Sequence, residues 1–393
     1  MDGSAAVSMR GLNKLRGGEG AGAGERPSAR SPRAPGVNRH MAAPRASSFL
    51  SAATASADAG NCFASSSSSL FSRVNCLPGL VNIGVQKAGT GELQNWLAAH
   101  PSVVIHGGEV HFFDGMKSPS ACRAKQRANL RFKYAKFLWR GRGGLKRDDV
   151  KGKLVFEKTP AYFDLAPPKL VACAVPSARL LVMLREPAAR ARSAYSMCQR
   201  EMGAKWCRAP LEEALAPLLK TRDDGGALDH TSSSINASIR LNRRLLKRKP
   251  HLRRMLLMGH YAVFLRRWID AFPPARLRLL WLEQFKRDPF ACMRAVEDYV
   301  GLPNHDYRAI ATRNAAGLYV VGKSKSSSAA TSGDAAAAAA AAKKRHTNSS
   351  SSHSSSALTM LRQYYAPWQR RLRALDAEHN LTLFAEGVPK RLR

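Results

Sequence analysis

The sequence is short of acidic residues. Among its 393 residues, 28 Asp and Glu oppose 63 Lys and Arg, which leaves a formal net charge of +35 at pH 7. This imbalance predicts polyanionic partners: nucleic acid, an anionic membrane surface, or an acidic polysaccharide or nucleotide substrate. The hydrophobic content of 45% excludes wholesale disorder, because it is enough to build a core.

The sequence also lacks a long apolar run. Pro44, Arg45 and Asp58 interrupt the best candidate, so no stretch approaches the roughly 20 apolar residues that a membrane-spanning helix needs. Residues 1–76 are rich in Ser, Ala, Gly, Pro and Arg without sustained apolar periodicity, which predicts a disordered leader. A leader rich in Arg and Ser and poor in acids is also typical of an organelle transit peptide.

Metal-binding cysteine patterns are missing as well. The seven cysteines form no CxxC pair and have no accompanying His spacing, so the sequence predicts no zinc site. Because seven is odd, at least one thiol stays outside intramolecular pairing. The pair Cys198 and Cys207 is close enough in sequence to suggest a local disulfide, which would require an oxidising compartment.

From residue 77 onward, apolar runs alternate with helical patterns. Four runs are typical of buried strands: residues 79–85, 154–158, 178–186 and 276–283. Helical patterns occupy the segments from Thr90 to His100, 261–272 and 289–302. The alternation predicts an α/β fold with a central parallel sheet flanked by helices on both faces, built from one domain over residues 77–393.

One segment of this domain is of low complexity. Residues 324–356 consist mainly of Ser and Ala, with no apolar face to bury, and are predicted to form an exposed insertion. A last helix is predicted directly after it, over residues 357–375.

The strand GLVNIGV is followed by the loop QKAGTG and a helix, a combination suited to anion binding. Gly84, Gly89 and Gly91 allow tight backbone turns, Lys87 supplies a charge, and Thr90 caps the helix N-terminus. An ordinary strand-to-helix turn is the alternative interpretation. The loop is not a Walker A motif, because Lys87 precedes Gly89 instead of following the last glycine.

A second anion-binding candidate follows a later strand. In REPAARARSAY, Arg185 stands at the strand end, Pro187 near the start of the next helix, and Ser193 in its first turns. The guanidinium is suited to bind a phosphate in a bidentate manner and the hydroxyl to donate a further hydrogen bond. A surface arginine and an ordinary helix serine are the alternative.

Together these motifs resemble a known family. A KxGT loop after the first strand, with RxPxxRxxSxY after a later one, is similar to the signature of sulfotransferases that use 3′-phosphoadenosine 5′-phosphosulfate (PAPS). Three further stretches strengthen the resemblance: EVHFFD (109–114), FEKTPAYF (156–163) and residues 259–289. Over roughly residues 78–302 and the last helix, the chain most resembles heparan sulfate glucosamine 3-O-sulfotransferases and the sulfotransferase half of the N-deacetylase/N-sulfotransferases, which implies a P-loop-like sulfotransferase fold.

The resemblance implies where the donor nucleotide binds. The 5′ phosphosulfate would lie against Lys87, Ala88, Gly89, Thr90 and Gly91. The 3′ phosphate would lie against Arg185 and Ser193, and no metal is required.

The resemblance also assigns the acceptor side. Glu109 would act as general base on the acceptor hydroxyl, and His111 would orient the site. Lys158 would lie by the transferring sulfonate or the sugar, and Asp114 would contact the acceptor. Without the family, Glu109 is an ordinary solvated carboxylate, and the aromatics at 112–113 are expected to pack in the core.

The chain departs from the family at three places. Gly91 stands where the 3-O group usually has Arg, and Glu92 places an acid beside the phosphate loop. The family's disulfide-bonded hairpin is absent, because no cysteine follows Cys292, so Lys344 and Arg345 are the candidates for closing over the nucleotide.

The sequence therefore predicts a sulfotransferase acting on a hydroxyl, or an amine, of an acidic polysaccharide of the heparan sulfate type. Two tracts support such an acceptor: residues 123–153 hold twelve Lys and Arg against two acids, and residues 240–254 hold eight against none. The alternatives are a P-loop nucleotide kinase and a non-enzymatic polyanion binder; no specific nucleic acid is predicted. The resemblance implies the Golgi lumen, and Asn236, Asn348 and Asn380 lie in glycosylation sequons.

Overall fold

The computed structural model describes residues 61–64, 73–117, 122–140, 144–219, 250–322 and 351–383. The strands of this part are β1 Cys62–Ala64, β2 Arg73–Cys76, β3 Leu80–Gly84, β4 Val103–Ile105, β5 Leu145–Lys146, β6 Leu154–Lys158, β7 Arg179–Leu184, β8 Leu277–Trp281, β9 Ala311–Arg313 and β10 Tyr319–Val321. The α-helices are α1 Thr90–Ala98, α2 Ala124–Leu138, α3 Arg147–Val150, α4 Tyr162–Leu165, α5 Pro168–Ala174, α6 Pro187–Met197, α7 Leu211–Leu219, α8 Pro250–Leu257, α9 Tyr261–Ile269, α10 Leu282–Arg287, α11 Pro289–Val300 and α12 Ser351–His379.

A five-stranded sheet forms the centre, in the order β4-β6-β3-β7-β8. All four neighbouring pairs are parallel. Every residue of β3 is buried, and β7 is buried after its first residue, as expected for strands covered on both faces. The four strands predicted from the sequence, the parallel sheet and the α/β class are thereby confirmed.

The order of the strands determines where a ligand can enter. From β3 the chain crosses to β4 at one edge of the sheet, whereas from β7 it crosses to β8 at the other. Because crossovers between parallel strands are right-handed, this reversal puts the connecting helices on opposite faces. The carboxyl ends of the adjacent strands β3 and β7 therefore border a crevice of the kind in which open α/β sheets bind ligands.

Part of the segment assigned to the disordered leader is ordered. Strands β1 and β2 pair antiparallel, β5 joins them to complete a small sheet, and a disulfide connects Cys62 with Cys76. Three- and four-residue strands are too short to produce the periodicity from which the sequence boundary at residue 77 was drawn. Residues 1–60 and 65–72 of the predicted leader lie outside the described residues.

The disulfides correct the sequence analysis in part. The predicted bridge between Cys198 and Cys207 is present, and the described part of the chain leaves Cys292 as a free thiol. The bridges Cys62–Cys76 and Cys122–Cys173 were not predicted, because their partners are 14 and 51 residues apart in the sequence and meet only in the fold.

The last helix is longer than predicted. Helix α12 runs over Ser351–His379, so it begins within the predicted insertion 324–356, whose first part lies outside the described residues. It packs on α6, α7 and α9, and Leu361 and Tyr365 are buried in that contact. Within the ranges described, no helix combines the length and apolarity that a membrane crossing requires.

Candidate functional site

The loop between β3 and α1 contains two residues with a left-handed backbone conformation. Gly89 has φ +82°, and a Cβ there would lie 2.5 Å from the Leu282 side chain. Lys87 also has a left-handed backbone, with φ +70°, which is uncommon for a residue other than glycine. The loop therefore turns tightly and leads directly into α1 with Thr90 as its first residue. The prediction that Thr90 caps this helix is wrong: the N-cap is Gly89, and no side chain makes a capping hydrogen bond there.

A cavity of about 560 Å³ opens at this loop, at the carboxyl ends of the central strands. Its lining includes eight of the residues singled out from the sequence: Lys87, Gly89, Thr90, Gly91, Glu109, Lys158, Arg185 and Ser193. The two motifs predicted to bind phosphate and the residues predicted for the acceptor side thus share one cavity, although they span more than 100 positions of the sequence. Ala88, in the same loop, is fully buried, and its side chain is not among those that line the cavity.

The two motifs are joined by a direct contact. The Arg185 guanidinium donates a hydrogen bond of 3.1 Å to the backbone carbonyl of Lys87. The backbone carbonyl of Arg185 in turn accepts from the Tyr261 hydroxyl at 2.8 Å. Arg185 is therefore held at both its backbone and its side chain before any ligand arrives.

Both cations are partly withdrawn from water. Burial lowers the pKa of Lys87, and the charges of Arg200 and Arg185 lower it further against the opposing effect of Glu201. Burial likewise lowers the pKa of Arg185. The Lys87 ammonium donates at 3.2 Å to the sulfur of Met197, which is a weak acceptor. An anion would be a far stronger partner for this ammonium than a thioether.

On the opposite side of the cavity, four titratable side chains form a chain of ion pairs. The Lys158 ammonium donates to one oxygen of Glu109 at 2.9 Å. His111 Nε2 lies 3.2 Å from the other oxygen, and His111 Nδ1 lies 2.6 Å from Asp114. Glu109 and Lys158 line the cavity. Next to them, His111 contacts Glu109, and Asp114 contacts His111.

These contacts shift the pKa values of His111 and Glu109. The hydrogen bond to Asp114, then the one to Glu109, raises the pKa of His111 to about 9 despite partial burial. Burial alone would raise the pKa of Glu109, but the hydrogen bond from His111 and the charge of Lys158 hold it below its ordinary value. At neutral pH the site therefore contains a carboxylate between two cations.

The unusual acid Glu92 is directed along its own helix. Its carboxylate accepts a hydrogen bond of 2.9 Å from Trp96 Nε1, one turn further on in α1. At Gly91, where the family usually has Arg, a Cβ would meet nothing within 4 Å. The two departures from the family in this loop are thus accommodated without a clash.

Several residues of the site were not predicted. The hairpin of β9 and β10 contributes Asn314, Leu318, Tyr319 and Val320 to the cavity, and α10 contributes Leu282, Phe285 and Lys286. The signal for the hairpin was the turn from Asn314 to Gly317, where Asn314 Oδ1 accepts from Leu318 N and Gly317 has φ +70°.

The remaining predictions concern two aromatic residues, residues outside the described ranges, and metal binding. Phe112 and Phe113 are 9% and 0% exposed, which confirms that they pack in the core. Lys344 and Arg345, predicted to close over the nucleotide, lie outside the described residues, as do Asn236 and Asn348. Among the residues described, no group of three or more His, Cys, Asp and Glu side chains is arranged to hold a metal ion.

Proteins of similar sequence include two kinds of heparan sulfate sulfotransferase. The chain is 27% identical over 227 residues to the heparan sulfate glucosamine 3-O-sulfotransferase 3B1 of Mus musculus, covering 58% of this chain and 46% of that protein. It is 27% identical over 239 residues to the bifunctional heparan sulfate N-deacetylase/N-sulfotransferase 3 of Homo sapiens, covering 60% of this chain and 24% of that one. The chain thus spans about half the length of the 3-O-sulfotransferase and less of the bifunctional protein.

No family model matches the chain. Among solved structures, a sulfotransferase from Alicyclobacillus acidocaldarius aligns with a TM-score of 0.46 and 21% identity, covering 76% of this chain and 96% of that one. The similarity in sequence to the two heparan sulfate enzymes confirms the resemblance to the PAPS-dependent sulfotransferase family that the motifs indicated.

Proposed function

We propose that the protein is a sulfotransferase that moves a sulfuryl group from PAPS to a hydroxyl, or an amine, of an acidic polysaccharide of the heparan sulfate type. The observation that carries the proposal is that Lys87, Arg185 and Glu109 line the same cavity. A volume of about 560 Å³ lies within the range of roughly 300–1,000 Å³ that is usual for pockets of small ligands.

The residues present fit a nucleotide with two phosphate groups. Lys87 and the backbone of the glycine loop would bind the 5′ phosphosulfate, and the N-terminus of α1 adds a partial positive charge. Arg185 and Ser193 would bind the 3′ phosphate, since both project from the segment that follows β7. The contact between Arg185 and the Lys87 carbonyl holds the two anion sites at a set separation.

Glu109 would serve as the general base. Its depressed pKa keeps it ionised at neutral pH, so it can take the acceptor proton as soon as an alcohol binds. As the acceptor oxygen bonds to sulfur and the bond from sulfur to the 5′ phosphate oxygen breaks, the proton passes to Glu109. Lys87 and Lys158 would stabilise the negative charge that spreads over the oxygens in the transition state.

The exposed charge of α2 supports a polyanionic acceptor. Lys125, Arg127, Lys133 and Lys136 are exposed on this helix. The opposite face of α2 packs against the loop that carries Glu109, with the Tyr134 ring stacked on Phe112 at 4.9 Å. A sulfated or carboxylated chain bound along the exposed face of α2 would therefore be separated from the loop that carries Glu109 by the width of this helix.

The compartment follows from the same proposal. Three disulfides within the described residues favour an oxidising environment, in agreement with the lumen of the secretory pathway where sugar polymers of this kind are modified.

The test is a transfer assay with labelled PAPS and a heparan-type polysaccharide, in buffer without magnesium. In Glu109→Gln, transfer should fall by about 10²- to 10⁴-fold, the usual contribution of a general base, while the nucleotide still binds. The matched control is Glu92→Gln, which alters a carboxylate of the same cavity that is hydrogen-bonded to Trp96 and should lower transfer far less.

The two alternative functions give different results in this assay. Magnesium-dependent turnover of ATP without sulfuryl transfer would favour a nucleotide kinase. Binding of the polysaccharide with no turnover of either nucleotide would favour a non-enzymatic polyanion binder.

A further inference from the structure

Glu157 is a buried carboxyl group for which the proposed reaction has no direct use. It precedes Lys158 in β6 but points away from the cavity, and it is 0% exposed. Burial raises its pKa to about 7, although hydrogen bonds from Tyr134 and Thr159 oppose the shift. A carboxyl at such a position is costly unless it is well paired, so its partners indicate what it does.

Both carboxyl oxygens of Glu157 accept hydrogen bonds from hydroxyl groups. One partner is Tyr134 on α2, and another is Thr159, whose Oγ1 donates to Glu157 Oε1 at 2.7 Å. The Tyr162 hydroxyl also hydrogen-bonds to Glu157. A hydroxyl has only one hydrogen to donate, so this contact determines which way the Thr159 hydroxyl is turned. Its lone pairs are then left for other donors.

One of those lone pairs holds the loop that contains Glu109. The backbone N–H of Val110 donates to Thr159 Oγ1 at 2.8 Å, in the buried interior. Two residues later, the backbone N–H of Phe112 donates to the Tyr162 hydroxyl at 3.1 Å. Between these two anchors lies His111, with a left-handed backbone of φ +55°.

The anchors account for the direction of the side chains that face the cavity. Glu109 stands directly before the anchored Val110, and His111 stands between the anchors. Their side chains meet at 3.2 Å and bring Glu109 within 2.9 Å of Lys158. If the Val110 anchor is lost, the backbone of this loop can shift, and the carboxylate shifts with it.

We infer that Glu157 and Thr159 are positioning residues: the buried carboxyl group of Glu157 orients the Thr159 hydroxyl, which holds the Val110 N–H and thereby directs Glu109 into the cavity. The inference rests on the proposed role of Glu109 as general base. It assigns to the two residues no contact with donor or acceptor.

The central variant is Thr159→Val, which removes the hydroxyl at nearly constant volume. We expect kcat for sulfuryl transfer to fall about 10²-fold, the effect of displacing a catalytic group by about 1 Å. The Kd for 3′-phosphoadenosine 5′-phosphate should change less than about twofold, because the anion sites stand after β3 and β7 and not on β6. Thr159→Ser retains the hydroxyl and should restore most of kcat.

The role of Glu157 is tested by combining its substitution with Thr159→Val and comparing the effects on kcat. Glu157→Gln should lower kcat by a smaller factor than Thr159→Val, because the amide keeps one acceptor oxygen. In the Thr159→Val background its effect should be clearly smaller than in wild type, since the Thr159 hydroxyl is gone and the Tyr162 hydroxyl alone still links Glu157 to this loop. Independent, multiplying losses would overturn the role of Glu157.

Hydrogen exchange at Val110 is measured in parallel, because it needs neither donor nor acceptor. Thr159→Val should accelerate exchange at this amide, and Thr159→Ser should not. Unchanged exchange at Val110, or a parallel loss of nucleotide affinity and kcat, overturns the inference. Absence of transfer by the wild-type protein refutes the proposed function instead, and the exchange data then still decide whether the Thr159 anchor exists.

Discussion

Arg185 is the residue whose replacement tests the two-phosphate arrangement most directly. Its guanidinium is half-buried, donates to the Lys87 carbonyl at 3.1 Å, and is carried on backbone that Tyr261 holds at 2.8 Å. A hydrogen bond from such a charged group to a phosphate contributes about 1.5–3 kcal/mol. Since about 1.4 kcal/mol is a factor of ten, Arg185→Ala should weaken binding of 3′-phosphoadenosine 5′-phosphate by about 10- to 100-fold.

The size of the loss alone would not identify which phosphate Arg185 binds. Removing the guanidinium also removes its contact with the Lys87 carbonyl, so the glycine loop could relax and weaken the 5′ site as well. Adenosine 5′-monophosphate separates the two effects, because it has the 5′ phosphate and lacks the 3′ phosphate. We expect Arg185→Ala to weaken the monophosphate by less than about threefold, because the phosphate that the guanidinium contacts is absent.

Calorimetric titration of both nucleotides into wild type, Arg185→Ala and Lys87→Ala completes the design. Lys87→Ala should weaken the two nucleotides by similar factors, because both carry the 5′ phosphate. If Arg185→Ala weakens the monophosphate as much as the bisphosphate, the guanidinium acts on the loop and not on a 3′ phosphate. In that case the assignment of the second anion site is wrong.

Two further predictions use charges near the cavity. Lys286 lines the cavity and the next residue, Arg287, does not, so Lys286→Ala should weaken the bisphosphate nucleotide by about two- to fivefold at low salt and Arg287→Ala should leave the titration curve unchanged. The pKa of His111 is raised to about 9 in the folded protein, so its contribution to stability is complete below pH 6.5 and is lost as the pH rises through 9. The Tm should therefore fall less between pH 6 and 10 in His111→Gln than in wild type. Equal slopes of Tm against pH would contradict the ion pairs of His111 with Asp114 and Glu109.

The central sheet could be predicted because its strands are continuous apolar runs. The segments 154–158 and 178–186 correspond closely to β6 and β7, since a strand buried on both faces has no polar alternation to obscure it. Strand β4 was missed because only three residues, Val103–Ile105, pair at the edge of the sheet. The disulfides Cys62–Cys76 and Cys122–Cys173 were missed because nothing local indicates that their partners meet.

The site could be predicted as far as it consists of motifs. The glycine loop and REPAARARSAY each combine residue types that suit phosphate, and their position after neighbouring strands follows from the fold. Lys286 and Tyr319 contribute to the cavity from α10 and from a hairpin, and neither lies in a motif. The network of Glu157 and Thr159 could not be recognised at all, because it depends on hydroxyl and carboxyl groups meeting across buried elements.

The charges that line the cavity indicate the kind of ligand it binds better than the net charge of the whole chain does. Among the described residues, four cations and two carboxylates line it: Lys87, Lys158, Arg185 and Lys286, and Glu92 and Glu109. Glu109 is paired with Lys158, and Glu92 is bound to Trp96, so Lys87, Arg185 and the exposed Lys286 remain to meet an anionic ligand. Lys87 and Arg185 are the two of these that are partly buried. Because these two are partly buried, their attraction for phosphate should survive added salt better than that of the exposed α2 lysines. Nucleotide affinity and polysaccharide affinity should therefore respond differently to ionic strength, even though both depend on basic side chains.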